Sequence, residues 1–239
     1  MLEREIRIAD LDALLVGDVE QARFVVVMLH GFAMTPRDLS PFAHSLGIPG
    51  LFVFPRAPLE AALEPGKPFG RAWWHIDPVA RATALMQGPR DFGVQHPVDL
   101  PRARKDLFAF LDGLATISAR LPNLPLFLAG FSQGGMLISD AFMRHPERLR
   151  VTGLALFSTS RIAVDEWPAP ESCVAARGLP VLLSHGRADA DLAFAAGEGL
   201  RDVFVRAGAA VTFLPFDQGH EIPLVVWRGF RRFLLKHVP

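Results

Sequence analysis

Short apolar runs and amphipathic stretches alternate along most of the chain. Several of the apolar runs are rich in β-branched or aromatic residues and too short for helices, which predicts strands buried on both faces of a sheet. These runs cover residues 24–29, 51–54, 126–129, 151–157, 179–184 and 211–214. A weaker alternation over residues 4–16 predicts one or two strands at the sheet edge.

Helix signals lie between the predicted strands. Thr35 as N-cap, Pro36 at the first helical position and Asp38 as a capping-box acid predict one helix start. Apolar residues at helical spacing predict further helices from about residue 99, after residue 132, at 192–207 and from residue 223. Strands that alternate with helices predict an α/β fold with a mostly parallel central sheet and helices on both faces. The length of 239 residues suits a single domain over residues 1–239.

The regular pattern is lost between about residues 59 and 98, where prolines are frequent. A long irregular insertion in a compact domain usually serves a function. Only residues 79–86 look helical, and this short apolar segment is a candidate flap. We therefore expect the insertion to cover a substrate-binding site.

Composition excludes several classes of protein. The chain has 25 basic and 25 acidic residues, which argues against a nucleic-acid-binding surface. The single cysteine, Cys173, excludes an intrachain disulfide, and the histidines show no paired metal-binding motif, so we expect neither a metal nor a cofactor. The sequence shows no signal-peptide core and no apolar run long enough to span a bilayer, which favours a cytoplasmic protein without stable membrane insertion.

A G-x-S-x-G pentapeptide covers Gly130–Gly134, between a predicted strand and a predicted helix. In a nucleophile elbow the serine occupies a strained turn that exposes its hydroxyl above the sheet. Gly130 and Gly134 would leave room for the neighbouring backbone at such a turn. Ser132 is therefore the candidate nucleophile, and a plain turn residue is the alternative interpretation.

A serine nucleophile needs a histidine base that is itself oriented by a carboxylate. Asp189 follows the predicted strand at 179–184, and His220 follows the predicted strand at 211–214. The chain order Ser132, Asp189, His220 is that of α/β-hydrolases.

Other residues compete for the acid and base positions. Asp191 and Asp217 are alternative acids, although Asp217 precedes His220 too closely to face its ring from a separate loop. His30 and His185 each end a predicted strand, and we interpret them as structural hydrogen-bonding residues.

The chain resembles the phospholipase/carboxylesterase branch of the α/β-hydrolases, which also contains the acyl-protein thioesterases. The resemblance covers most of the sequence and depends on six motifs in register. They are Leu29-His30-Gly31-Phe32, Phe54-Pro55-Arg56-Ala57-Pro58, Ala72-Trp73-Trp74-His75-Ile76, Gly130-Phe131-Ser132-Gln133-Gly134-Gly135, His185-Gly186 with Asp189, and Gly219-His220-Glu221-Ile222-Pro223.

This resemblance implies an α/β-hydrolase fold with Ser132, Asp189 and His220 as the catalytic triad. It also implies an oxyanion hole formed by the backbone N–H groups of Phe32 and Gln133. The family often has a small aliphatic residue where this chain has Phe32.

Four bulky apolar residues are candidate substrate contacts: Phe32, Met34, Trp73 and Trp74. Together they could form an apolar wall near the serine, which would suit a hydrophobic acyl or aryl group. The two tryptophans are also compatible with core or lid packing.

The resemblance thus implies a serine carboxylic-ester hydrolase, a carboxylesterase or a lysophospholipase-like enzyme, acting on small hydrophobic esters through an acyl-enzyme. Three alternatives stay open: a thioesterase acting on acylated protein, a C–C bond hydrolase and a non-catalytic binding protein on the same fold. Because an exposed apolar flap could also be a dimer surface, both a monomer and a homodimer are compatible with the sequence.

Overall fold

The computed structural model describes residues 2–63 and 70–238. The part of the predicted insertion at residues 64–69 lies outside the described residues. The strands are β1 (Glu3–Ile8), β2 (Leu11–Val16), β3 (Phe24–Leu29), β4 (Gly50–Pro55), β5 (Leu59–Ala61), β6 (Gly70–Ala72), β7 (Leu126–Phe131), β8 (Gly153–Phe157), β9 (Pro180–Gly186) and β10 (Ala210–Phe216). The helices are α1 (Pro36–Leu46), α2 (Pro78–Gln87), α3 (Leu100–Asp112), α4 (Gln133–Arg144), α5 (Phe194–Arg206) and α6 (Leu224–His237).

Eight strands form one sheet in the order β1-β2-β4-β3-β7-β8-β9-β10. Strand β2 is antiparallel to both of its neighbours, whereas every other adjacent pair from β4 to β10 is parallel. The predicted mostly parallel sheet is therefore confirmed, and the weak pattern near the N-terminus corresponds to β1, the edge strand, and its neighbour β2.

The central strand β3 shows why its continuous apolar sequence forms a buried strand. All six of its residues are at most 1% exposed. Alternate side chains point to opposite faces, so Val25 and Val27 join one apolar cluster while Phe24 and Val26 join the other. The first cluster includes residues of α3, α4 and α5, and the second includes residues of α1 and α6. Helices thus cover both faces of the sheet, as the sequence predicts.

The insertion after β4 is more regular than the sequence suggests. Strands β5 and β6 pair as an antiparallel hairpin, and each has only three residues, which is too short to give a periodic signal. Helix α2 corresponds to the predicted helical segment, and it has no buried residue. No helix in the described ranges is long and apolar enough to cross a bilayer.

Candidate active site

Ser132 occupies the turn between β7 and α4 in a strained conformation, with φ of 52° and ψ of −118°. The turn is held from the side of β8. The Ser132 N–H donates to the Phe157 carbonyl oxygen at 2.9 Å, and the Thr159 hydroxyl donates to the Ser132 carbonyl oxygen at 2.9 Å. These two hydrogen bonds, one at the N–H and one at the carbonyl of Ser132, hold its backbone in the strained conformation.

The two glycines of the pentapeptide provide the room that the sequence predicts. A Cβ atom on Gly130 would lie 2.6 Å from the carbonyl carbon of Gly134, and one on Gly134 would lie 2.4 Å from the Leu29 carbonyl oxygen. Both distances are far below van der Waals contact. Helix α4 can therefore begin directly against the ends of β7 and β3.

Ser132, His220 and Asp189 form one hydrogen-bonded chain across three strand ends. The His220 Nε2 atom lies 2.9 Å from Ser132 Oγ, and the His220 Nδ1 atom lies 2.7 Å from Asp189 Oδ2. The His220 ring packs against the Phe131 ring with centroids 4.9 Å apart. With the proton on Nδ1, the free Nε2 lone pair can accept the serine proton.

The Asp189 carboxylate is buried and accepts four hydrogen bonds. Its Oδ1 accepts the backbone N–H groups of Asp191 and Leu192 at 2.8 and 2.9 Å. Its Oδ2 accepts from His220, and the Nε2 atom of His185 lies 3.3 Å from the same oxygen. Burial alone would raise the pKa of Asp189, but the hydrogen bonds from the two histidines outweigh it and hold the pKa below its usual range. The carboxylate is therefore anionic at neutral pH.

The competing acids contact other groups. Asp191 forms ion pairs with Arg81 and Arg90, and Asp217 is an exposed residue 3.8 Å from Arg187. Of the three candidate acids, Asp189 is the one that contacts the imidazole of His220.

His30 has the hydrogen-bonding arrangement that the sequence interpretation expects. Its Nε2 atom accepts the Ala57 N–H at 3.1 Å, and its Nδ1 atom lies 2.8 Å from the Gly31 carbonyl oxygen. Complete burial lowers the pKa of His30 to about 4. A neutral ring with the proton on Nδ1 satisfies both contacts.

His185 contacts the site in a way that sequence reasoning missed. Its Nε2 atom lies 3.1 Å from the Leu192 carbonyl oxygen as well as 3.3 Å from Asp189 Oδ2, so Nε2 carries the proton. Its Nδ1 atom is buried without a partner among the described residues, and a Cβ on Gly197 would lie 2.5 Å from it. The sequence signal that could have shown this contact is the spacing. His185 lies near the end of β9, only four residues before Asp189, which follows that strand.

The backbone N–H groups of Phe32 and Gln133 are free of hydrogen-bond partners among the described residues. The loop after β3 passes close to the serine, because a Cβ on Gly31 would lie 3.2 Å from Ser132 Cβ. Two free N–H groups beside the serine can stabilise a developing oxyanion.

The Gln133 side chain connects α4 to the segment after β6. Its Oε1 atom accepts the Trp73 N–H at 2.9 Å, and its Nε2 atom donates to the Trp74 carbonyl oxygen at 2.9 Å. The Trp73 indole N–H donates to the His30 carbonyl oxygen at 3.0 Å. The segment at 73–74 is thereby fixed to both sides of the candidate oxyanion hole.

Strand β6 forms backbone hydrogen bonds with the loop that follows β3. The Ala33 N–H donates to the Arg71 carbonyl oxygen at 2.9 Å, and the Arg71 N–H donates to the Met34 carbonyl oxygen at 2.8 Å. A Cβ on Gly70 would lie 1.9 Å from the Ala33 carbonyl oxygen, so only glycine permits this approach.

A cavity of about 490 Å³ opens beside Ser132 and His220. Its walls are mostly apolar and include Phe32, Met34, Trp74, Phe92, Phe131 and Met136. Three of the four predicted substrate contacts therefore line the cavity, but Trp73 does not. Its ring is buried against the His30 ring, with centroids 5.6 Å apart, which is the core packing that the sequence left open as the alternative.

Within the described part of the chain, no group of three or more histidine, cysteine, aspartate or glutamate side chains is arranged to hold a metal ion.

Comparisons with known proteins agree on the family. A sequence profile of the phospholipase/carboxylesterase family matches residues 14–238. A probable carboxylesterase of Oryza sativa subsp. japonica is 27% identical over 208 residues, which span 84% of this chain and 72% of that protein. The crystal structure of esterase PE8 is 26% identical, with a TM-score of 0.70 over 93% of this chain and 97% of that chain. A carboxylesterase from Mesorhizobium loti, at 20% identity, shares the fold with a TM-score of 0.74 over 98% of each chain.

The profile match spans nearly the whole chain, and the sheet agrees with the α/β-hydrolase fold of these structures. The family consists of serine ester hydrolases, so this protein is an enzyme of that class. The chain belongs to the phospholipase/carboxylesterase family.

Proposed function

We propose that the protein is a carboxylesterase in which Ser132 is the nucleophile, His220 the general base and acid, and Asp189 the residue that orients the imidazole. The observation that supports this assignment most directly is the hydrogen-bonded chain itself. Its two bonds measure 2.9 Å from Ser132 Oγ to His220 Nε2 and 2.7 Å from His220 Nδ1 to Asp189 Oδ2. The first distance is short enough for direct proton transfer, and the second is short enough for Asp189 to orient the imidazole.

In the proposed reaction, Ser132 Oγ attacks the ester carbonyl carbon while its proton passes to His220 Nε2. The carbonyl oxygen becomes an oxyanion and accepts hydrogen bonds from the N–H groups of Phe32 and Gln133. The tetrahedral intermediate collapses, the C–O bond to the alcohol breaks, and His220 donates its proton to the leaving alcohol oxygen. Water then attacks the acyl-enzyme by the same steps, with His220 as the base, and releases the acid.

The environment of Asp189 suits this role. The low pKa of its carboxyl keeps a negative charge beside Nδ1 when His220 becomes an imidazolium. Two backbone N–H groups also fix the carboxylate, so it need not reorient as that charge develops.

The cavity supports a small hydrophobic ester as the substrate. Its volume of about 490 Å³ is typical of small-molecule sites, and its walls are mostly apolar. Trp74, Arg81 and Leu85 from the 59–98 insertion contribute to the walls. We therefore assign the insertion the role of substrate cover within one hydrolase domain.

The test is a series of p-nitrophenyl esters from acetate to palmitate, with matched thioesters, assayed with the wild type and Ser132→Ala. We expect a maximum of kcat/KM at one chain length and no turnover by the variant. Thermal unfolding of the variant verifies that it is folded. Ester hydrolysis retained by folded Ser132→Ala would refute the proposal, and a strong preference for the thioesters would redirect it to a thioesterase.

A further inference from the structure

A charged group interrupts the apolar wall of the active-site cavity. Arg81 and Arg90 both line the cavity, and both bind Asp191. The Arg81 Nη2 atom lies 2.7 Å from Asp191 Oδ2, and the Arg90 Nη2 atom donates to Asp191 Oδ1. Only 18% of the Arg81 side chain and 10% of the Arg90 side chain are exposed. These two cations are therefore largely removed from solvent.

The charges in this group do not cancel. Two guanidinium groups share one carboxylate, which leaves one positive charge on the cavity wall. Asp189 is also anionic, but it forms no ion pair with either guanidinium: its buried oxygens contact His185, His220 and the backbone N–H groups of Asp191 and Leu192. A charge in a largely apolar site favours a counter-ion from the ligand, since isolated buried charges are costly.

The same wall contains donors without acceptors. The Arg90 Nε atom and the Trp74 indole Nε1 atom are both buried and lack a hydrogen-bond partner in the described ranges. Trp74, Arg81 and Arg90 also line a neighbouring cavity of about 410 Å³, so they form the wall between two cavities. Buried donors are normally paired, which makes their concentration here informative.

Arg90 is held in place by the backbone as well as by its side chain. The Arg90 N–H donates to the Asp191 carbonyl oxygen at 2.9 Å, and the Ala193 N–H donates to the Arg90 carbonyl oxygen at 2.9 Å. The guanidinium lies over the Phe92 ring, 4.9 Å from its centroid. A guanidinium fixed in this way loses little freedom when it binds a ligand.

We propose that Arg81 and Arg90 bind a carboxylate carried by the substrate, so that the enzyme prefers esters with one anionic end. This inference rests on the proposed esterase function. The planar guanidinium fork matches a carboxylate, and the apolar walls accommodate a hydrocarbon segment between that carboxylate and the ester. Half-esters of dicarboxylic acids have this combination.

The first experiment compares matched substrates. Mono-4-nitrophenyl adipate is paired with 4-nitrophenyl 6-methylheptanoate, whose branched end has the shape of the carboxylate without its charge. A second pair, 4-carboxyphenyl hexanoate and phenyl hexanoate, moves the charge to the alcohol side. We expect kcat/KM for the anionic member of one pair to exceed that of its partner about tenfold or more, the effect of one charge-assisted hydrogen bond. Equal values in both pairs would overturn the inference.

Variants separate binding of the anion from a purely structural role. Arg90→Gln should abolish the anionic preference, whereas Asp191→Asn, which removes the competing carboxylate, should increase it. If the ion pairs only supported the fold, both variants would change activity in the same direction. Arg102→Gln is the matched control, because Arg102 is exposed on α3 and pairs with Asp106.

A direct measurement keeps this inference separate from the proposed function. Calorimetry on unreactive Ser132→Ala should show tighter binding of monophenyl adipate than of phenyl 6-methylheptanoate, with the difference lost in Ser132→Ala combined with Arg90→Gln. Turnover of neutral esters without an anionic preference would refute the carboxylate site alone. Absence of Ser132-dependent turnover of any ester would refute the proposed function, and calorimetry would then decide the carboxylate site.

Discussion

The Gln133 side chain offers a sharp test of how the candidate oxyanion hole is supported. In Gln133→Met the backbone N–H stays in place, but two hydrogen bonds to the 73–74 segment are lost. The Trp73 N–H and the Trp74 carbonyl then have no partner in a region where both residues are 1% exposed. Each unpaired buried group costs about 1–3 kcal/mol, so the free energy of unfolding should fall by about 2–6 kcal/mol unless the segment moves.

Movement of the segment would relieve part of this cost and would displace Trp74 from the cavity wall. We therefore expect KM to rise along with the loss of stability. Urea denaturation gives the free energy of unfolding, and hydrolysis of a short p-nitrophenyl ester gives kcat and KM. Methionine retains the length and the helix propensity of glutamine, so the first turn of α4 should be unaffected.

The control is Gln21→Met, since Gln21 is exposed and precedes β3, at the end of that strand opposite to the Phe32 loop. It should change the free energy of unfolding by less than about 0.5 kcal/mol. If Gln133→Met is as stable as the control and has an unchanged KM, the side chain does not support the site and the reasoning is wrong.

Two further predictions concern the other buried histidines. Burial lowers the pKa of His30 from 6.5 to about 4, so between these pH values the unfolded chain binds one more proton than the folded protein. The free energy of unfolding should therefore fall by about 3 kcal/mol as the pH drops from about 7 to about 4. Urea denaturation across this range should show a weaker pH dependence in His30→Gln, whose amide oxygen can accept the Ala57 N–H, and an identical dependence would contradict the assignment. His185→Phe removes the donor to Asp189 without touching the cavity, so kcat should fall about tenfold at constant KM and recover partly in His185→Gln. A change confined to KM would show that His185 acts elsewhere.

The order of the fold elements and the position of the site follow closely from sequence patterns. Parallel strands end at the same edge of a sheet, so residues that follow β7, β9 and β10 were expected to meet there. The structure brings Ser132, Asp189 and His220 together at that edge. The glycines beside Ser132 also have the steric role that their pattern indicates.

The directions of side chains and the contacts between residues distant in the chain could not be predicted from the sequence. Trp73 and Trp74 are adjacent at a bend after β6, yet Trp74 lines the cavity while the Trp73 ring packs on His30. No feature of the sequence determines which of the two tryptophans lines the cavity. Arg90 and Asp191 are 101 residues apart, and nothing in either local pattern predicts their contact.

The backbone pairing between Arg90 and the loop that follows Asp189 has a consequence for how such enzymes diversify. The insertion is not an independent module, because its last part is in hydrogen-bonded register with residues two to four positions beyond the acid. A change in the length or sequence of the insertion would displace the loop that holds the Asp189 carboxylate. A change in the part of the cavity wall that the insertion forms is thus coupled to the position of the Asp189 carboxylate, and a segment exchanged between relatives would have to include residues 189–193.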